Sequence, residues 1–158
     1  LYNRRHFNSV LERELGRARL ANQWLAFAIF DVDHFKPYND NYGHAAGDEV
    51  LKRIGQLLNE RYRRGRDYVF RIGGEEFAVL ITVRHPAEAE EAAANLVSAI
   101  ADLKLPHGHT PVAPYITISL GLRLISPEEE SATVDQIFIE ADSRLYRAKE
   151  SGRNRYVR

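Results

Sequence analysis

The sequence predicts an α/β sandwich, an α+β architecture in which one mainly antiparallel sheet carries its helices largely on one side. Three observations lead there. Apolar residues recur with a helical period in four segments and at strand spacing in four others, in the order αβαββαβα, with a short further strand at the end. Two of the strands are separated only by GGEE, so they must turn back on each other. No internal repeat, low-complexity tract or long linker interrupts the series, and 158 residues that are 44% hydrophobic and 28% charged suffice for a single core. Residues 1–158 are therefore read as one domain.

The elements follow from their periods. Phe7, Val10, Leu11, Leu15 and Ala18 mark an amphipathic helix over residues 4–20. The run WLAFAIF, 24–30, is apolar at odd and even positions alike, as in a central strand covered on both faces. After a polar loop, Val50, Leu51, Ile54, Leu57 and Leu58 mark a second helix, with Asp48 and Glu49 in its first turn, where acids suit the macrodipole. YVFRI and FAVLITV form a β-hairpin through GGEE, whose glycines accept positive φ. Ala89, Ala93, Leu96, Val97 and Ile100 give a third helix. YITISLGLRL alternates, with Ile116, Ile118, Leu120, Leu122 and Leu124 on one face of a half-buried strand. Thr133 to Gln136 fits a capping box before a last helix carrying Val134, Ile137, Phe138, Ala141 and Leu145, and RYVR closes the chain. PHGHTPVAP, 106–114, reads as a connection rather than a site.

Charge and composition narrow the partners. Lys plus Arg and Asp plus Glu are 22 each, so no global field favours nucleic acid or an anionic membrane, and an anionic ligand must meet a local cluster. The absence of cysteine excludes disulfides and thiolate metal sites and fits a reducing compartment, so a cytoplasmic location is expected. The apolar runs Leu25 to Phe30 and Phe77 to Val83 are too short to span a bilayer, and no membrane contact by this domain is expected. A chain that opens on LYNRRHF without an initiator Met is read as a piece of a longer, regulated protein, which could be membrane-anchored elsewhere.

The chemistry concentrates where the first strand ends. Leu25, Phe27 and Ile29 share a face with Asp31 and Asp33, which carries an apolar row into carboxylates whose desolvation needs a cation. If the hairpin lies beside that strand, Glu75 or Glu76 meets Asp31, and such carboxylates favour a shared metal. Mg²⁺, with Mn²⁺ as the alternative, suits a few carboxylates completed by water and phosphate. The two glutamates point to opposite sides of an extended strand, so one is the main ligand and the other a support. A lone DxD on a solvated turn would be the simpler reading.

More than that pair is present. DVDHFKPYNDNYGHAAGDEVL (31–51), RIGGEEF (71–77), TISLG (117–121) and AKESGRNRY (148–156), with NRRHF at 3–7, together resemble the GGDEF family of diguanylate cyclases over nearly the whole chain and in family order. GGEEF is an accepted form of its signature. The resemblance implies a ferredoxin-like palm similar to those of polymerases and nucleotide cyclases, condensing two GTP into cyclic di-GMP and two pyrophosphates. It implies Asp31, Glu75 and the Val32 carbonyl as metal ligands, and Glu75 or Glu76 as proton acceptor. Lys36 would stabilise phosphate charge, and Lys149 and Arg153 would hold the triphosphate. Asn39 and Asp48 would read guanine, with Phe35 and His44 lining the pocket. Arg64 and Asp67 would form an inhibitory site for cyclic di-GMP. Each of these residues has an ordinary alternative as a surface charge, turn or cap residue, for Arg64 and Asp67 a surface ion pair, and only the shared register favours the site reading over it. Because the product is two-fold symmetric, a homodimer is implied, under the control of an upstream sensory or regulatory domain. A catalytically silent module that binds GTP or cyclic di-GMP, and a related palm enzyme acting on another nucleotide, are the competing readings; the Asn39 and Asp48 pair disfavours the second.

Overall fold

Residues 24–32 form the strand around which the rest is arranged. The computed structural model describes residues 3–158. Its elements are α1 (Arg4–Leu20), β1 (Trp24–Val32), α2 (Phe35–Tyr42), α3 (His44–Arg61), β2 (Tyr68–Arg71), β3 (Glu76–Val83), α4 (Pro86–Ala101), β4 (Ile118–Ile125), α5 (Val134–Glu150) and β5 (Arg155–Val157). The strand order is β2-β3-β1-β4-β5. β1 pairs antiparallel with β3 and β4, β2 pairs antiparallel with β3, and β5 runs parallel to β4 after the crossover through α5. The fold is thus α+β with a mostly antiparallel sheet, as expected.

The helices cover both faces, not mainly one. Ala26, Ala28, Phe30 and Val32 of β1 pack with residues of α2, α3 and α4, while Leu25, Phe27 and Ile29 pack against α1 and α5. The reason lies in the two central strands. β4 is buried on both sides, so the half-buried strand expected from its alternation is corrected: the intervening positions hold Thr117, Ser119 and Gly121, small or polar residues that the apolar count passed over. Gly121 is where α5 comes closest to the sheet. A Cβ there would lie 2.1 Å from the Ala141 carbonyl oxygen and 2.4 Å from the Leu145 backbone nitrogen. Phe27, Ile29 and Phe30 are fully buried, each stabilising the fold by about 1.5–3 kcal/mol.

Three local expectations change. The polar loop after β1 contains α2, a helix of eight residues whose only buried side chains are Phe35 and Tyr38, too short a pattern to show a period. Its proline, Pro37, sits in the first turn, where a missing N–H breaks no bond. α3 then begins at His44, so Asp48 and Glu49 lie beyond its first turn and do not cap it. The GGEE hairpin forms, but neither Gly73 nor Gly74 has positive φ; among the described glycines only Gly43 and Gly152 do. The capping box at Thr133 and Gln136 and the closing strand β5 are present. No helix among the described residues is long and apolar enough to cross a membrane.

Candidate active site

The register of the sheet decides which acid faces which. Asp31 stands opposite Glu76 of β3 on one side and Ser119 of β4 on the other. It is 7% exposed, and its Oδ2 accepts a hydrogen bond from Lys149 Nζ of α5 at 2.6 Å, while Oδ1 is buried without a partner. Burial raises the Asp31 pKa above the ordinary carboxylate value; Lys149 opposes this, and the charges of Asp33 and Glu75 add to it. Burial also pushes Glu76 up to about 7, helped by Asp31 and then by Asp142 of α5. Glu75 lies at the turn, where its carbonyl accepts from the Val32 N–H at 3.2 Å and ties the hairpin to the end of β1. Asp31, Val32, Glu75, Glu76 and Lys149 therefore converge at one end of the sheet.

The donors present suit a hard cation. Among the described residues no three His, Asp or Glu side chains form a ready-made cage. What the chain offers is a buried, unpartnered carboxylate oxygen on Asp31 with Glu75 and Glu76 beside it. That set fits Mg²⁺, which keeps several positions for water and phosphate, and not a closed structural zinc site.

Asp33 differs from Asp31. Its carboxylate accepts from the Thr117 and Ser119 hydroxyls and from the Asn154 backbone N–H, so both oxygens are taken up inside the protein. Next to it, His34 adopts a left-handed conformation, φ 51, at the entrance to α2. Burial lowers the His34 pKa, and the charge of Arg153 lowers it further. The 106–114 connection braces the same turn. His107 is 1% exposed; its Nδ1 accepts from the His109 N–H at 3.2 Å, so Nε2 carries the proton and donates to the His34 carbonyl at 3.0 Å.

α2 and α3 hold the residues expected at the nucleotide. Phe35 is buried and Asn39 half-buried, its Oδ1 without a hydrogen-bond partner. Gly47 of α3 makes room for it: a Cβ there would come within 1.9 Å of Asn39 Oδ1 and 3.1 Å of Phe35 Cζ. His44 is exposed. Lys36 is also exposed and paired with Asp40 at 3.0 Å, so it does not reach the acids. Asp48 lines a groove of about 760 Å³ between α3 and the hairpin, together with Glu49, Lys52, Arg71 and Phe77. Arg64 and Asp67 line a separate cavity of about 350 Å³ with Arg61, Glu88 and Glu91. They form a tight turn, not an ion pair: the Arg64 N–H donates to Asp67 Oδ2 at 3.2 Å, and the Asp67 N–H to the Arg64 carbonyl at 3.0 Å. Burial raises the Asp67 pKa, and Arg64 opposes the rise.

Arg71 was not singled out by the sequence. Its guanidinium donates to the carbonyls of Gly73 and Gly74, closing the turn that positions both glutamates. The available signal was a cation just before two glycines whose carbonyls a tight turn leaves free. Nothing in the sequence marks Asp142, because its effect on Glu76 depends on how α5 crosses the sheet.

Fold and site define a class: an α+β domain in which the central strand and a twin-glycine hairpin bring carboxylates and a lysine to one end of the sheet. Residues 1–155 match the family model described as diguanylate cyclase, GGDEF domain, and the chain belongs to that family. Diguanylate cyclase DgcP of Pseudomonas aeruginosa is 37% identical over 155 residues, covering 98% of this chain and 22% of that protein. The crystal structure of the GGDEF domain of DgcB from Caulobacter crescentus in complex with c-di-GMP superposes with a TM-score of 0.83 at 27% identity, covering 99% of this chain and 90% of that one. The active GGEEF domain of a diguanylate cyclase from Vibrio cholerae gives a TM-score of 0.72 at 28% identity, covering 96% and 90%. The chain spans about a fifth to two fifths of the length of the curated relatives it matches.

Proposed function

We propose that this domain is a diguanylate cyclase that condenses two GTP into cyclic di-GMP and two pyrophosphates at the interface of a homodimer. The observation that carries the reading is the buried, unpartnered Asp31 oxygen opposite Glu76, in a chain of the GGDEF family. Asp31, the Val32 carbonyl and Glu75 would hold Mg²⁺, which when bound supplies positive charge to neutralise the reacting phosphate. Asn39 and Asp48 orient guanine, the aspartate accepting from its N1–H and N2–H₂ edge. Phe35 and His44 line the base pocket. Lys149 and Arg153 hold the triphosphate, and Lys36, exposed on α2, screens phosphate charge. In each half-reaction a 3′-oxygen forms a bond to the α-phosphorus of the GTP on the other subunit, and the bond to pyrophosphate breaks. The hydroxyl proton passes to a glutamate of the hairpin; Glu76, with a pKa of about 7, is suited to hold a proton near neutral pH. Arg64 and Asp67, on the wall of the 350 Å³ cavity, bind the product and inhibit.

The test is incubation with GTP and Mg²⁺ followed by chromatography of the products. Cyclic di-GMP should form, and Glu75→Gln should abolish it while GTP still binds. The Lys149–Asp31 pair at 2.6 Å favours one other reading, a module that binds GTP or cyclic di-GMP without turnover, because it occupies an oxygen the ion requires. Nucleotide binding with no product at any protein concentration would leave that reading standing and sink the cyclase. A regulatory domain upstream and a cytoplasmic location complete the proposal.

A further inference from the structure

The turn after α5 has a backbone that the catalytic reading leaves unexplained. Arg153, φ 63, and Asn154, φ 49, are consecutive non-glycine residues in the left-handed region, which asparagine tolerates and arginine disfavours. Such a conformation persists only where its surroundings over-determine it. Here the surroundings include Asp33. This residue is 3% exposed. Its Oδ2 accepts from the Asn154 backbone N–H at 3.1 Å and from the Thr117 hydroxyl at 2.8 Å, and its Oδ1 accepts from the Ser119 hydroxyl at 2.6 Å. Thr117 and Ser119 are themselves buried, and the Asp33 N–H donates to the Thr117 carbonyl at 2.9 Å, so Asp33 is fixed to the start of β4 through both its backbone and its carboxylate before it meets the turn. The turn is closed from its other side by the Arg153 N–H donating to the Ala148 carbonyl at 3.0 Å. The Arg153 side chain makes no ion pair among the described residues, and its charge acts on His34, the neighbour of Asp33.

We propose that Asp33 is a positioning residue for the nucleotide: by holding the Asn154 N–H it fixes the left-handed Arg153–Asn154 turn and aims the Arg153 guanidinium at the β- and γ-phosphates of GTP. This rests on the reading of Arg153 as a triphosphate contact. Asp33 is then not a metal ligand, although it stands two residues from Asp31 on the same strand end. Both of its oxygens are bound by donors, whereas Asp31 keeps one free. A charge-assisted bond to a backbone N–H is strong and directional, which suits it to hold a disfavoured turn.

The experiment measures binding of GMP and of α,β-methylene-GTP, which cannot release pyrophosphate, to Asp33→Ala, Asp33→Asn, Arg153→Ala and the double variant Asp33→Ala/Arg153→Ala. Asp33→Ala should weaken the triphosphate about tenfold and GMP less than about twofold, and the double variant should bind the triphosphate no more weakly than Arg153→Ala alone. Asp33→Asn should recover most of the affinity, because its amide oxygen still accepts from Asn154 while the Ser119 hydroxyl reverses its role to accept from the amide. Coulomb's law alone predicts the opposite sign, since removing a negative charge near phosphates tightens their binding. Equal losses for both ligands, tighter triphosphate binding, or additive effects with Arg153→Ala would each overturn the inference. If Asp33→Ala does not fold, Ser119→Ala, which frees Oδ1, should give the same selective loss at smaller size, and an equal loss for both ligands overturns it there. Undiminished triphosphate binding by Arg153→Ala would instead remove the proposed role of Arg153 itself, an outcome read on a different variant.

Discussion

Glu76 owes its chemistry to its place rather than to its type. A glutamate on a solvated turn titrates in the ordinary range; opposite Asp31 and beneath Asp142 it is pushed up to about 7. The folded form therefore keeps a proton that the unfolded chain has released, so this contribution to stability is complete below the ordinary glutamate range and is lost as pH rises through about 7. Asp31, raised by burial, acts in the same direction over a window that begins lower. Urea unfolding without added metal should show the domain less stable at pH 8 than at pH 5, by roughly 1 kcal/mol once solvent screening of a half-buried carboxyl is allowed for. Glu76→Gln should flatten that slope, and a slope unchanged in the variant would mean the titration lies elsewhere. Gly47 makes a second prediction at this scale. Its missing Cβ leaves the space that Asn39 Oδ1 occupies, so Gly47→Ala should displace that amide. GTP binding should fall about tenfold and its preference over ATP should shrink, with the thermal midpoint nearly kept, the size expected for one lost hydrogen bond in a buried pocket.

Among the elements, α5 links the core to the site. Its inner face packs Ile137, Ala141 and Leu145 on the sheet, and its last turn delivers Lys149 to Asp31. The close approach depends on Gly121, where any Cβ meets backbone that cannot rotate away. Gly121→Ala should cost about 1–3 kcal/mol, seen as a fall of several degrees in Tm, and should lower activity further by displacing Lys149, the proposed triphosphate contact. A variant with unchanged Tm would show that the helix has slack here. How legible an element was follows its length and its neighbours. α1 shows a helical stripe over about three turns, from Phe7 to Ala18, and its sequence bounds agree with the observed ones, whereas α2 has one apolar pair, and its shape is held by His107 from a distant loop that acts on the His34 carbonyl. In the sequence that connection reads as a linker, because a buried histidine in a loop carries no periodic signal.

The whole molecule presents its proposed reactive end on one side, with half of a symmetric reaction. If two domains must meet, the rate per domain should fall on dilution, and joining two copies through a dimerising segment should restore it through effective concentration. Initial rates measured over a hundredfold range of protein would check this; a rate per domain independent of concentration would exclude catalysis between two copies. The sequence by itself determined the elements with sustained periods, the antiparallel hairpin, and the short segments in which reactive residues lie close along the chain. It did so because side-chain spacing and turn chemistry are local. Only the tertiary structure decided that helices cover both sheet faces, that Glu76 faces Asp31, that Lys149 neutralises that acid, and that Asp33 turns inward to Thr117, Ser119 and Asn154. Those facts depend on strand register and helix crossing, and contacts between residues more than eighty positions apart are set by the packing of the entire core, not by any stretch of sequence on its own.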